Sequence, residues 1–196
     1  MNKMRGSFLL SPPLTPSDAL PASAALLRQA RFALREEFLV KIRRAVDALS
    51  DDQIWWRPNE ESNSIGNLLL HLSGNARQWI IAGIGGAADL RNRNLEFSQR
   101  EQIDKSTLLD LLSRTLAEVD DALADLEDEI RREESDAPMQ RICTPQGFDQ
   151  TVLDALCHVV QHFSYHTGQI VYIAKLMVVG SVAFYDDRLL GGKKSA

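Results

Sequence analysis

Between Asp104 and Pro138, seven apolar residues recur at alternating steps of three and four: Leu109, Leu112, Leu116, Val119, Leu123, Leu126 and Ile130. Such a run makes one narrow stripe along about six turns of helix at 3.6 residues per turn. A stripe that long cannot be buried within its own helix, so the chain must supply other helices to cover it. Asp104 or Ser106 is placed to cap its start. Asp110, Glu118, Asp120, Asp121, Asp125, Glu127 and Asp128 occupy the other faces and read as a solvated acidic surface.

Three more stretches have the helical period. Over residues 23–49, Leu27, Ala30, Leu34, Phe38, Ile42, Ala45 and Leu49 form one stripe, with Arg35, Glu36, Arg43 and Asp47 on other faces. A second helix, capped by Asn63 or Ser64, turns Ile65, Leu68, Leu72, Ala76 and Trp79 inward and stops near Gly83 to Gly86. The last, begun by Asp149 or Thr151 and ended by Gly180, carries Val152, Leu156, Val159, Phe163, Ile170, Ala174 and Met177. No segment has a convincing strand pattern. The expected fold class is all-α, a four-helix bundle.

Connections and ends follow from composition. Four of the seven prolines fall in residues 1–22, which predicts a flexible tail outside the bundle. Trp55 and Trp56, ahead of Pro58, read as a packing plug under a connector. Residues 87–104 are polar and patternless and are expected to be a long surface loop; residues 131–148, with Pro138, Pro145 and Gly147, form another connection. The bundle domain is expected over residues 23–180, followed by a C-terminal extension over 181–196 that packs on the bundle and frays at its end.

At 196 residues and 44% hydrophobic content, the chain can bury one sizeable core. A net charge of −5, with dispersed basic residues, argues against a nucleic-acid partner. Two unpatterned cysteines suit a reducing cytoplasm, and no stretch suits a membrane span or signal peptide.

The chemistry-bearing residues are the histidines. His158, His162 and His166 lie four apart on the last helix, each about one turn above its predecessor. Neighbouring pairs can converge on one ion, but His158 and His166, roughly 12 Å apart along the axis, cannot share it. The remaining histidine, His71, lies on the second helix. If the two helices face each other, His71, His162 and His166 make a three-nitrogen site with positions open to water or substrate. Asn75 and Gln169 are candidates to donate to a ligand or substrate or, equally, to make helix-interface hydrogen bonds, and His158 is a candidate base or outer partner, or pairs with Asp154 one turn earlier.

Motifs narrow the choices. The chain has no His-Glu-x-x-His, no Glu-x-x-His pair and no Cys-x-x-Cys, which disfavours a zincin, a di-iron carboxylate centre and a zinc knuckle. One divalent ion on neutral imidazoles remains, with Zn²⁺ or Ni²⁺ preferred and Fe²⁺ or Mn²⁺ open. Such an ion would activate a thiol or a bound water at neutral pH.

Ser64-Ile-Gly-Asn-Leu-Leu-Leu-His71, together with His158-Val-Val-Gln-His162-Phe-Ser-Tyr-His166-Thr-Gly-Gln-Ile170, resembles the DinB/YfiT-like superfamily of metal-binding four-helix bundles. The likeness covers most of residues 23–180, and Thr167 stands where an arginine is common. It implies metal ligation by His71, His162 and His166, a low-molecular-weight thiol as possible cofactor, and a homodimer. On this basis the leading expectation is a cytoplasmic metal-dependent thiol transferase acting on small electrophiles. A hydrolase using a metal-bound water and a non-catalytic metal-binding or structural dimer are the alternatives.

Overall fold

The computed structural model describes residues 21–178 together with Val182 and Phe184. The tail expected over residues 1–22 therefore lies outside the described residues except for its last two, and Ala22 already opens a helix. The chain is mostly helical. Among the described residues, strand is confined to β1 (Ile142–Cys143) and β2 (Gln150–Thr151), an antiparallel pair.

Four long helical runs carry the core. The first comprises α1 (Ala22–Phe32), a π-helical stretch (Ala33–Phe38) and α2 (Leu39–Asp47). All seven residues of its expected stripe are buried. A short α3 (Asp51–Ile54) follows, closed by a reciprocal capping box between Ser50 and Gln53. Trp55 then anchors the connector: its indole N–H donates to the Ile103 carbonyl at 2.9 Å, and its ring lies on Gly66, where a Cβ would come within 2.8 Å of it.

The second run is α4 (Ile65–Ala76), extended by a π-helical stretch over Arg77–Ala82. Ser64 and Asn67 form its buried capping box. Asn67 also donates to the carbonyls of Glu96 and Gln99 at 2.9 and 3.1 Å, so the cap that starts α4 holds down a later segment. That segment is α5 (Arg93–Ser98), capped by Asn92, in the stretch expected to be a surface loop. It is docked because its polar groups find buried partners, a signal that hydrophobic periodicity does not carry.

The third run, α6 (Lys105–Glu133), is capped by Asp104 and closed by Glu134 in the left-handed conformation, φ 47°. Its predicted stripe is buried throughout. The acidic face is less solvated than expected. Arg31 and Arg35, one turn apart on the first run, both reach Asp120, and Glu127 is buried between Arg31 at 3.1 Å and Arg131 at 2.7 Å. The connection after it holds α7 (Ala137–Gln140), the β1–β2 pair and a 3₁₀ turn between the two strands.

The fourth run, α8 (Val152–Met177), starts at a Thr151–Asp154 capping box. It packs on α2 and α4; α4 packs on α6, and α6 on α1, so each long run lies against two others. No helix among the described residues is long and apolar enough to cross a membrane. Of the C-terminal extension only Val182 and Phe184 are described. Phe184 is buried, its carbonyl accepting from Arg44 at 3.3 Å and its ring 5.5 Å from Lys175 Nζ.

Candidate metal centre

Packing of α4 on α8 brings His71 up to His162 and His166, with His162 in the middle. His71 Nε2 lies 3.0 Å from His162 Nε2, and His166 Nε2 lies 3.1 Å from the same atom. One ligand nitrogen from each of the three falls within 4.8 Å of the other two. Two imidazole nitrogens bound at roughly 2.0–2.1 Å to one tetrahedral ion stand about 3.3–3.4 Å apart. The spacings of His162 Nε2 from its two neighbours, 3.0 and 3.1 Å, are close to that.

The outer nitrogens decide what the inner ones present. Glu96, ionised beside Arg91, can only accept, so His71 Nδ1–H donates to its Oε2 at 2.8 Å even with Arg91 Nη2 3.1 Å from the same nitrogen. His166 Nδ1–H donates to the amide oxygen of Gln169 at 2.7 Å. With those protons outside, the Nε2 atoms of His71 and His166 carry bare lone pairs turned toward His162. A single proton on His162 Nε2 could serve only one of them, and its Nδ1 is buried without a partner. A cation satisfies all three nitrogens at once, and outward N–H groups held by a carboxylate and an amide are the usual support of ligating histidines. The donor set therefore fits a divalent ion.

Glu96 is the residue that sequence reading missed, and Arg91 goes with it. Arg91 donates through Nε to Glu96 Oε1 at 2.7 Å and through Nη2 to Oε2 at 2.8 Å, with its side chain only 3% exposed. Gln78 braces the same guanidinium at 2.9 Å. Burial alone would raise the Glu96 carboxyl, but the hydrogen bonds from Arg91 and His71 outweigh it and leave it below the usual range. Gly74 is needed here, because a Cβ at that position would collide with Glu96 Oε1. The sequence holds little trace of this, since Glu96 lies in a polar connection far from any histidine spacing. A cavity of about 300 Å³ is lined by Arg91 and Glu96 but by none of the histidines, so it sits behind the pair and not at the three nitrogens.

The other candidates take different places. His158 does not pair with Asp154, which is occupied in capping α8. Instead its Nε2 contacts Asn75 Nδ2 at 3.1 Å, and its ring stacks on Trp79 with centroids 3.9 Å apart. Asn75 thus faces His158 and not the three nitrogens. Gln169 accepts from His166 and orients it. His162 and His166 are half-buried at the edge of the α8 stripe, not centred on it; Phe163, Thr167 and Ile170 take the core side.

Burial, followed by the charges that His166, His71 and His158 would carry, pushes His162 down to about 3 from an ordinary 6.5. Burial also lowers His166 and His158. The imidazoles of His162 and His166 are therefore neutral and ready to ligate at neutral pH. In the metal-free chain this has a stability consequence. Below pH 6.5 the unfolded chain takes up a proton that folded His162 refuses, so stability is full above that value and falls as pH drops toward 3. Urea unfolding of stripped protein at about pH 7.5 and about pH 5 should show a lower midpoint at the acid value, and His162→Gln should reduce the difference.

The chain belongs to the DUF1572 family, described as proteins of unknown function, whose family model matches residues 22–183. It is a DinB-like family. No curated protein matches the chain.

Proposed function

We propose that this chain is a DinB-like four-helix bundle that holds one divalent ion on His71, His162 and His166 and transfers a low-molecular-weight thiol to a small electrophile. The observation that carries this reading is the pair of fixed tautomers. Glu96 and Gln169, as acceptors, hold the protons at the outer nitrogens of His71 and His166, and the inward lone pairs that remain would be met by one cation together with that of His162. Zn²⁺ or Ni²⁺ suits three imidazoles best, with Fe²⁺ and Mn²⁺ as further choices. An ion held by three neutral ligands keeps its positive charge, favours a thiolate over a thiol and leaves coordination positions free.

The chain's own residues do the rest. Arg91 holds Glu96 ionised and in place, and Glu96 keeps the His71 proton on Nδ1. Depressed proton affinity at His162 keeps its imidazole available near neutral pH. Trp79 and Asn75 pin the His158 ring one turn from His162, where it borders the site without reaching the three nitrogens. Incubating metal-loaded protein with an electrophile and a panel of cellular thiols tests the proposal. The expected result is an adduct that forms only with thiol and metal both present. Thiol-independent ester cleavage would favour the hydrolase instead, and no turnover with any thiol would leave a metal-binding protein without catalysis.

A further inference from the structure

Phe97 touches both His71 of the candidate centre and Arg93. Phe97 and Arg93 are one turn apart on α5, a spacing that puts their side chains on one face. Arg93 Cζ lies 4.8 Å from the centre of the Phe97 ring, and that ring lies 4.6 Å from the ring of His71. Arg93 is exposed and Phe97 half-buried. On α8, Tyr165, 65% exposed, sets its ring 5.0 Å from that of His166. Two rings thus flank the histidines, Phe97 on α5 against His71 and Tyr165 on α8 against His166, with a guanidinium over the Phe97 ring.

Among the described residues no carboxylate meets that guanidinium. Arg91, two residues earlier, spends its charge on both oxygens of Glu96, whereas Arg93 has no carboxylate partner among the described residues. Stacking on Phe97 orients the planar group in advance, so less side-chain freedom is lost when an anion binds. One arginine presents a fork that matches one carboxylate through two parallel N–H···O bonds, while a phosphate, with more charge and a third free oxygen, calls for further cations.

We propose that Arg93, shelved on Phe97, is the recognition point for the carboxylate of a small organic ligand whose other end reaches the three imidazoles. The ligating end rests on the function proposed above; the carboxylate end does not. Because two ring contacts separate the guanidinium from His71, the ligand needs an extended spacer between its two functional ends.

The test uses the full chain loaded with zinc and two probes of equal length, mercaptohexanoate and mercaptohexanol, which differ in the terminal carboxylate. Calorimetry gives their affinities, and NMR follows the Arg93 Nε–H resonance, assigned by its loss in Arg93→Met. The acid is expected to bind about tenfold more tightly than the alcohol, as a charge-assisted pair allows. In Arg93→Met that preference disappears while affinity for the alcohol and zinc content stay unchanged, and Arg93→Lys retains part of it. Equal affinity of the two thiols for the native chain, or an undiminished preference in Arg93→Met, overturns the carboxylate site. A chain that takes up no zinc defeats the proposed function alone. In that event the Nε–H resonance of the metal-free chain decides: a shift with the acid but not the alcohol supports the site, and no shift overturns it.

Discussion

Replacing His71, His162 or His166 by alanine will each reduce bound metal from about one ion per chain to background, whereas His158→Ala will keep it, because a catalytic-type site needs all three protein ligands. The asymmetry follows from where the rings point. His162 Nε2 is 3.0 and 3.1 Å from its two neighbours, so deleting any of the three leaves two nitrogens that cannot enclose an ion against water. His158, on the same face one turn away, directs its Nε2 to Asn75 and lies flat on Trp79. Elemental analysis of the four single variants, each first shown by circular dichroism to be folded, is the measurement. Full metal content in His71→Ala, or loss confined to His158→Ala, would show the triad to be wrongly assigned.

Periodicity made the helices legible because burial repeats with the helix. Leu109 through Ile130, and Leu27 through Leu49, are inward at every position where their spacing places them. The histidines were legible for the same reason: spacings of four on one helix leave few geometries, and one further histidine lay on a neighbouring helical pattern. What could not be read was anything depending on a single long-range polar contact. Asn67 looks like an ordinary capping residue, yet it also ties down α5; Glu96 looks like one more surface acid, yet it meets His71 across 25 residues of chain. The assignment of Glu127 to a solvated face failed alike, since nothing in α6 announces that Arg31 will reach across from α1. Gly74 is the nearest thing to a signal. A glycine within a helix costs about 1 kcal/mol relative to alanine, and here it makes room for the Glu96 carboxylate.

Glu96→Ala is expected to weaken metal binding about 10- to 100-fold, the range for loss of an outer partner of a ligating histidine, and to destabilise the metal-free chain by roughly 3–5 kcal/mol, the range for breaking a buried ion pair from one side. The two effects have separate causes. Affinity falls because the His71 proton is no longer held on Nδ1, so the ring can turn or present the wrong nitrogen. Stability falls because the Arg91 guanidinium, 3% exposed, loses both carboxylate oxygens and keeps two uncharged side-chain neighbours, Gln78 Oε1 at 2.9 Å and His71 Nδ1 at 3.1 Å. They can therefore be separated experimentally. Replacing both members of the pair, as Arg91→Leu with Glu96→Leu, removes the stranded charge and should restore much of the stability, since an apolar pair of similar size is often no worse than a buried ion pair. It should restore none of the metal affinity, because His71 Nδ1–H still lacks its acceptor. Competition against a metal-sensitive dye gives the affinities, and urea unfolding of stripped protein gives the stabilities. Glu96→Ala binding metal as tightly as the native chain would show that the carboxylate serves only to anchor α5; recovery of affinity in the double variant would show that packing, and not the tautomer of His71, sets the strength of the site.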